Sequence, residues 1–278
     1  MKIFEVEGHK PSLLPEGRDW ELVWYDEFDD DVLDESKWSF RMHLLHKPHP
    51  AFTNKGISFR DSNIILSVIE EDGRYYSPHL QTGENYLDRP NTESEWPIAK
   101  FGEQKFLHRY GYYEARVKLQ KQKGWWSAFW MQSPTIGCSP NPETAGVELD
   151  IMECFIPGIV APHTIHWGGY GPDHDNIDSN HEKVLPPLHE TVLEPTEDDY
   201  HVFGMHWEKD GYTFYIDGKQ SGKKIPGPVS HVPQFILLST ECDGYRYTGE
   251  PTEDLKNIKL PDEFVVDYVR VFDEVPTR

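Results

Sequence analysis

Gly146-Val147-Glu148-Leu149-Asp150-Ile151-Met152-Glu153-Cys154-Phe155 sets three carboxylates within six residues of an otherwise apolar run. The run favours a half-buried pleated strand, yet each acid in it needs water, a partner or a task. A solvated edge strand would more readily alternate Val147, Leu149 and Ile151 with Lys or Thr than with acids alone. Carboxylates packed this closely repel one another and raise at least one pKa, which is poor structure but useful acid–base chemistry. Strand parity sharpens the point. Glu148 and Asp150 share one face, while Val147, Leu149 and Ile151 take the other. Glu153 is at an odd offset from Glu148 and would face the core, unless an extra residue near Ile151-Met152 forms a β-bulge that turns it back. The stretch therefore predicts a catalytic strand with a bulge.

Outward from it, short alternating runs are separated by Gly, Pro, Asn and Asp. Asn63 to Ile69 reads as a strand closed by a turn at Glu71-Asp72-Gly73. In Tyr112 to Leu119, residues Tyr113, Ala115, Val117 and Leu119 share a face. His201 to Trp207, Tyr212 to Ile216 and Phe264 to Phe272 complete a meander of hairpins and a closing strand. Asp34 to Trp38 is at most one helical turn. With 22 prolines, 21 glycines and no convincing helix of ten residues, the pattern indicates an all-β antiparallel sandwich. One domain is expected over residues 1–278, its core roughly 20–273, with 1–19 an N-terminal extension. Met42 to Asn54, Tyr75 to Ile98 and Gly168 to Thr196 read as long functional loops. His43, His46 and His49 in the first lack a completing Cys or acid, and are expected to be solvated loop histidines rather than a metal site.

The 48 acids against 27 bases give a net charge of −21. That field disfavours nucleic acid and anionic membrane surfaces, and strongly sulfated or uronic polymers unless a local basic patch overrides it. Cys138, Cys154 and Cys242 cannot all pair, and Cys154 should be a buried free thiol. No stretch has transmembrane length, so membrane insertion is not expected. The N-terminus lacks a basic region followed by an apolar one, so no signal peptide is visible. Location stays open between the cytoplasm and a mature exported form.

Glu148-x-Asp150-x-x-Glu153 resembles the bulged catalytic signature of glycoside hydrolase family 16, shared by laminarinase-like β-1,3-glucanases, agarases, porphyranases and κ-carrageenases. Leu22 to Phe28, Arg109 to Lys118, Gly124 to Met131, Thr164 to Trp167 and Val266 to Phe272 resemble the family's other strands in the family's order. The resemblance implies a β-jelly roll of the concanavalin A-like lectin/glucanase type, with two curved antiparallel sheets and an open concave cleft. It implies a retaining mechanism, for which carboxyl groups about 5–5.5 Å apart are expected. Glu148 would be the nucleophile, Glu153 the general acid and then base, and Asp150 the residue that orients Glu148. It places Trp126, Trp130 and His166 on the cleft side, with Trp125, Trp167 and Glu241 as further substrate-binding candidates. It requires no cofactor, and the calcium ion that recurs on the family's convex face has no identifiable site in these residues.

The expected partner is a polysaccharide, acted on by a monomer. Its size favours an exported enzyme. The −21 charge tilts the reading towards a neutral β-1,3 or mixed-linkage β-1,3-1,4-glucan. An algal galactan of the agarose, porphyran or carrageenan type stays open, because the long loops depart from the laminarinase pattern and Lys121 and Lys123 offer a local basic patch. A non-catalytic carbohydrate-binding protein is disfavoured by the intact acids.

Overall fold

A computed structural model describes residues 1–88, 102–184 and 190–276. Two sheets face each other across one apolar core. The cleft-bearing sheet runs in the order Ile69–Glu71, Arg74–Gln81, Phe235–Cys242, Trp125–Gln132, Glu148–Cys154, Thr164–Trp167 and Asp175–Asp178. Ser39–Phe40 and Phe52–Thr53 also pair with Arg74–Gln81, the latter in parallel. The opposite sheet runs Lys219–Ile225, Gly211–Ile216, His201–Glu208, Gly111–Lys118, Glu263–Val275, Ile64–Ser67 and Ile57–Phe59, with Asp19–Asp26 on the far half of Glu263–Val275. This is the expected all-β jelly roll.

Alternation builds the core. Tyr113, Ala115, Val117, Phe203, Met205 and Trp207 from one sheet meet Trp125, Phe129, Met131, Leu149, Ile151 and Met152 from the other, all fully or almost fully buried. The only helices among the described residues longer than three residues are the four-residue turns Pro142–Ala145, Tyr245–Thr248 and Glu253–Lys256. None is long and apolar enough to cross a membrane. Residues 1–19 contribute the small hairpin Lys2–Phe4 with Ser12–Leu14. Beneath it lies the buried Arg270 guanidinium, bonded to both oxygens of Glu27 at 2.7 Å and to Lys10 O and Ser12 Oγ at 2.8 Å.

Several expectations need correction. Asn63 to Ile69 is not one strand: Ile64–Ser67 lies in the opposite sheet, while Ile69–Glu71 belongs to the cleft sheet. Buried Val68 marks the crossing. The supposed loop from Tyr75 begins inside the strand Arg74–Gln81. Pro78 conceals that strand in the sequence, because proline removes a ladder donor. Here its carbonyl accepts from Thr240 Oγ1 at 2.6 Å, and antiparallel pairing with Phe235–Cys242 starts only at His79. Beyond the strand, Tyr86–Asp88 forms a single 3-10 turn, and 89–98 lies outside the described residues. Met42 to Asn54 contains the hairpin His43–Leu44/Lys47–Pro48 and the strand Phe52–Thr53. His49 is not solvated: it is buried, stacked on Phe52 at 3.8 Å and 3.5 Å from Glu241. Cys154 is a buried free thiol, as is Cys242.

Candidate active site

The pairing of Trp125–Gln132 with Glu148–Cys154 decides the site. Gln132 stands opposite Glu148, Trp130 opposite Asp150, and Ala128 opposite Glu153. Between the last two pairs the register slips, because Phe129 pairs with Met152 and Ile151 has no partner on that strand. Ile151 and Met152 both point into the core, at 0% and 1% exposure. The bulge predicted from parity is present, and it turns Glu153 onto the face of Glu148 and Asp150.

All three acids line an open cleft of about 880 Å³ with Trp126, Trp130, Gln132, Tyr170 and Glu241. On the other side of Asp150, His166 Nε2 approaches its Oδ2 at 3.2 Å, and His166 Nδ1 lies 3.0 Å from His174 Nε2. The acids do not share one environment. Burial, then the Asp150 charge, pushes Glu153 well above the usual carboxylate range. The same two causes raise Glu148, but His166, a hydrogen bond from Tyr170 and Arg41 oppose them. Burial would lower His166, yet its hydrogen bond to Asp150 and the three nearby carboxylates lift it to about 9. Both carboxyls are raised, but Glu153 well above the usual range and Glu148 less so, so Glu153 holds its proton more firmly, the order that acid and nucleophile require. Because the groups interact strongly, their titrations belong to the set as a whole.

Among the described residues, Glu148, Asp150 and His166 are also the one group of His, Cys, Asp and Glu ligand atoms close enough to share a metal ion. His166 and Asp150 already satisfy each other there, and a cation would occupy the face that a nucleophile needs.

The remaining candidates divide by parity. Trp126 and Trp130 face the cleft. Trp130 Nε1 donates to Ser239 Oγ at 2.8 Å, and Trp126 lies 5.6 Å from Phe155 with the Arg246 guanidinium 5.4 Å from its ring. Trp125 is a correction: it is fully buried in the core, with Nε1 donating to Asp262 at 2.9 Å. Trp167 is half-buried, packs on the core and carries Lys183 at 5.8 Å from its ring, outside the residues that line the cleft. Glu241 lies in the cleft floor, but Arg246 binds both of its oxygens, so it is already paired.

Four cleft residues escaped the sequence reading. Gln132 was within reach, since it continues the Trp126, Ala128, Trp130 alternation. Tyr170 was signalled only by its setting between Gly169 and Gly171. Arg41 and Arg246 had no local signal. Arg41 is 3% exposed, pairs with Asp88 and lies 5.2 Å from the Trp130 ring. Its Nε and Nη1 have no hydrogen-bond partner, and both nitrogens of the buried neighbour His79 are likewise unpartnered.

Comparison with known proteins identifies the family and the fold. The family model described as "Beta-porphyranase A-D, GH16 domain" matches residues 20–274. Glucan endo-1,3-beta-glucosidase A1 of Niallia circulans is 27% identical over 270 residues, covering 91% of this chain and 38% of that protein. The chain thus spans well under half the length of that curated relative. Beta-porphyranase E of Zobellia galactanivorans is 24% identical over 284 residues, covering 94% of this chain and 91% of that one. The laminarinase catalytic domain of Thermotoga maritima shares the fold with a TM-score of 0.65 at 24% identity, covering 93% of this chain and all of that one (100%).

Proposed function

Because the chain belongs to glycoside hydrolase family 16, we propose that it is a retaining, endo-acting glycosidase that cleaves internal β-linkages of a β-1,3 or mixed-linkage β-1,3-1,4-glucan. The observation that carries this reading is the bulge at Ile151, which sets Glu148, Asp150 and Glu153 side by side on the cleft floor. Glu148 attacks the anomeric carbon as Glu153 gives its proton to the departing glycosidic oxygen. The C1–O bond breaks and a glycosyl ester forms on Glu148. Glu153, now ionised, takes a proton from water, whose oxygen attacks C1 and releases Glu148, so the β-configuration is kept. Burial and the neighbouring Asp150 hold the proton on Glu153 in the resting enzyme. Trp126 and Trp130 offer aromatic faces to pyranose rings. Curated relatives with glucanase names and the −21 net charge support a neutral glucan.

A second substrate reading, an algal galactan of the porphyran type, is favoured by the porphyranase family model and by Arg41, whose unpartnered nitrogens suit an anionic substituent. One experiment addresses both. The protein is incubated with laminarin, lichenan, agarose and porphyran, and oligosaccharide ladders and early product anomers are followed. Ladders from laminarin or lichenan with β-anomers first are expected. Cleavage of porphyran alone would transfer the assignment to the galactan, and prompt α-product would end the retaining mechanism.

A further inference from the structure

Glu148 has partners that come neither from its own strand nor from the other acids. The Tyr170 hydroxyl donates to Glu148 Oε2, the same oxygen that Gln132 Nε2 reaches at 3.0 Å. Gln132 and Tyr170 also contact each other, and Gln132 Oε1 accepts from Asn85 and, at 3.4 Å, from Arg41. One carboxylate oxygen thus sits at the end of a continuous polar chain that crosses the cleft.

The segment that delivers the phenol is tightly constrained. Gly168 and Gly169 both have positive φ, 76° and 78°. A Cβ on Gly168 would lie 2.1 Å from Asp173 O, and one on Gly169 would lie 3.0 Å from Gly137 Cα. Only glycine fits this double turn, which folds against its own backbone and against the turn at Gly137. Beyond the phenol, the His174 ring lies 6.0 Å from that of Tyr170. The chain therefore holds Tyr170 over the nucleophile although 38% of its surface is exposed.

We infer that Tyr170, acting with Gln132, is a positioning residue for Glu148: the two donors hold Oε2 and leave Oε1 free to attack. The inference rests on the assignment of Glu148 as nucleophile. A terminal carboxylate torsion is broad, and a carboxylate beside another acid gains by rotating away or taking up a proton. Two donors on one oxygen oppose both. Tyr170 keeps its own proton throughout: desolvation of its hydroxyl against Glu148, on a ring whose outer edge stays open, and the adjacent Glu148 charge raise its pKa above the usual phenol range. When Oε1 bonds to C1, Oε2 becomes an ester carbonyl and carries less charge. When that ester breaks, the charge returns to Oε2, where Tyr170 already donates.

The test uses the full chain with carbon-13 in the glutamate side-chain carboxyls. The Glu148 resonance is identified by its loss in Glu148→Gln, and its titration is compared between wild type and Tyr170→Phe. Losing a hydrogen bond to a charged group should raise the Glu148 midpoint by about one to two pH units. The acidic limb of kcat/KM should move with it on whichever polysaccharide the wild type cleaves. An unchanged midpoint in a variant that melts like wild type overturns the inference. If the wild type cleaves no polysaccharide in the panel, the functional reading fails, and the carboxyl titration alone decides the role of Tyr170.

Discussion

His166 Nε2 lies 3.2 Å from Asp150 Oδ2, which places a cation against the acid that separates Glu148 from Glu153. The imidazole titrates near 9 in the fold, against an ordinary value of 6.5. A histidine raised in this way contributes stability that is complete below the unfolded value and is lost as pH rises through the folded one. The melting temperature should therefore fall between about pH 6.5 and 9, and His166→Asn should flatten that slope. Calorimetry across this range checks it. An equal slope in the variant would show that the pair contributes no such linkage.

Asp150 raises the pKa of both neighbours, in each case as the second cause after burial. In Asp150→Asn, both limbs of the kcat/KM profile should move to lower pH, because Glu153 gives up its proton sooner and Glu148 ionises sooner. Lost orientation should also reduce kcat by about 10²-fold. A pH–rate series on the cleaved polysaccharide reads both effects. A profile displaced to higher pH would contradict the electrostatic role of Asp150.

Substitution separates the roles of the two glutamates. Glu148→Gln should lower kcat by roughly 10⁴-fold or more while oligosaccharide binding persists. Glu153→Gln should cost about 10²–10⁴-fold on a polysaccharide, and much less on an aryl glycoside whose leaving group needs no proton. Equal losses on both substrates would argue against Glu153 as the acid.

Trp125 and Trp126 are neighbours with opposite fates. Trp125→Ala removes a fully buried indole and should cost about 3–5 kcal/mol of stability, while Trp126→Ala should leave the melting temperature nearly unchanged and weaken oligosaccharide binding. Calorimetry and titration of the Glu148→Gln protein with product oligosaccharides distinguish the two. Weaker binding on loss of Trp125, with stability intact, would place its side chain in the cleft after all.

Arg270 and Glu27 form a buried pair beneath the N-terminal hairpin, 0% and 5% exposed. Arg270→Met leaves Glu27 with only His9, 3.5 Å away, and should cost about 3–5 kcal/mol, measured by urea denaturation. A loss of about 1 kcal/mol or less, as for an exposed pair, would mean that water reaches the site.

What could be read from the sequence is what alternation determines. The parity of Glu148, Asp150 and Glu153 called for a bulge, and parity put Trp126 and Trp130 on one face with Trp125 on the other, while the family resemblance made the first of these the cleft face. Treating Trp125 as a substrate contact weighed closeness in sequence above that parity. Features set by distant contacts had no local trace. The burial of His49 follows from Phe52 and Glu241, and the strand through Pro78 exists because Thr240 satisfies its carbonyl. Arg41 enters the cleft through Asp88 and Trp130, partners that no spacing rule connects.

The unpartnered Ile151 also has a consequence for how this strand can change by descent. Losing one residue normally turns everything beyond it to the wrong side of a sheet. Here, deletion of Ile151 or Met152 would remove the irregularity instead, leave Glu153 opposite Ala128, and restore plain alternation with the three acids on one side. The core would give up a single apolar side chain. The spot is one where ancestry can add or discard a residue while the reacting groups stay in place.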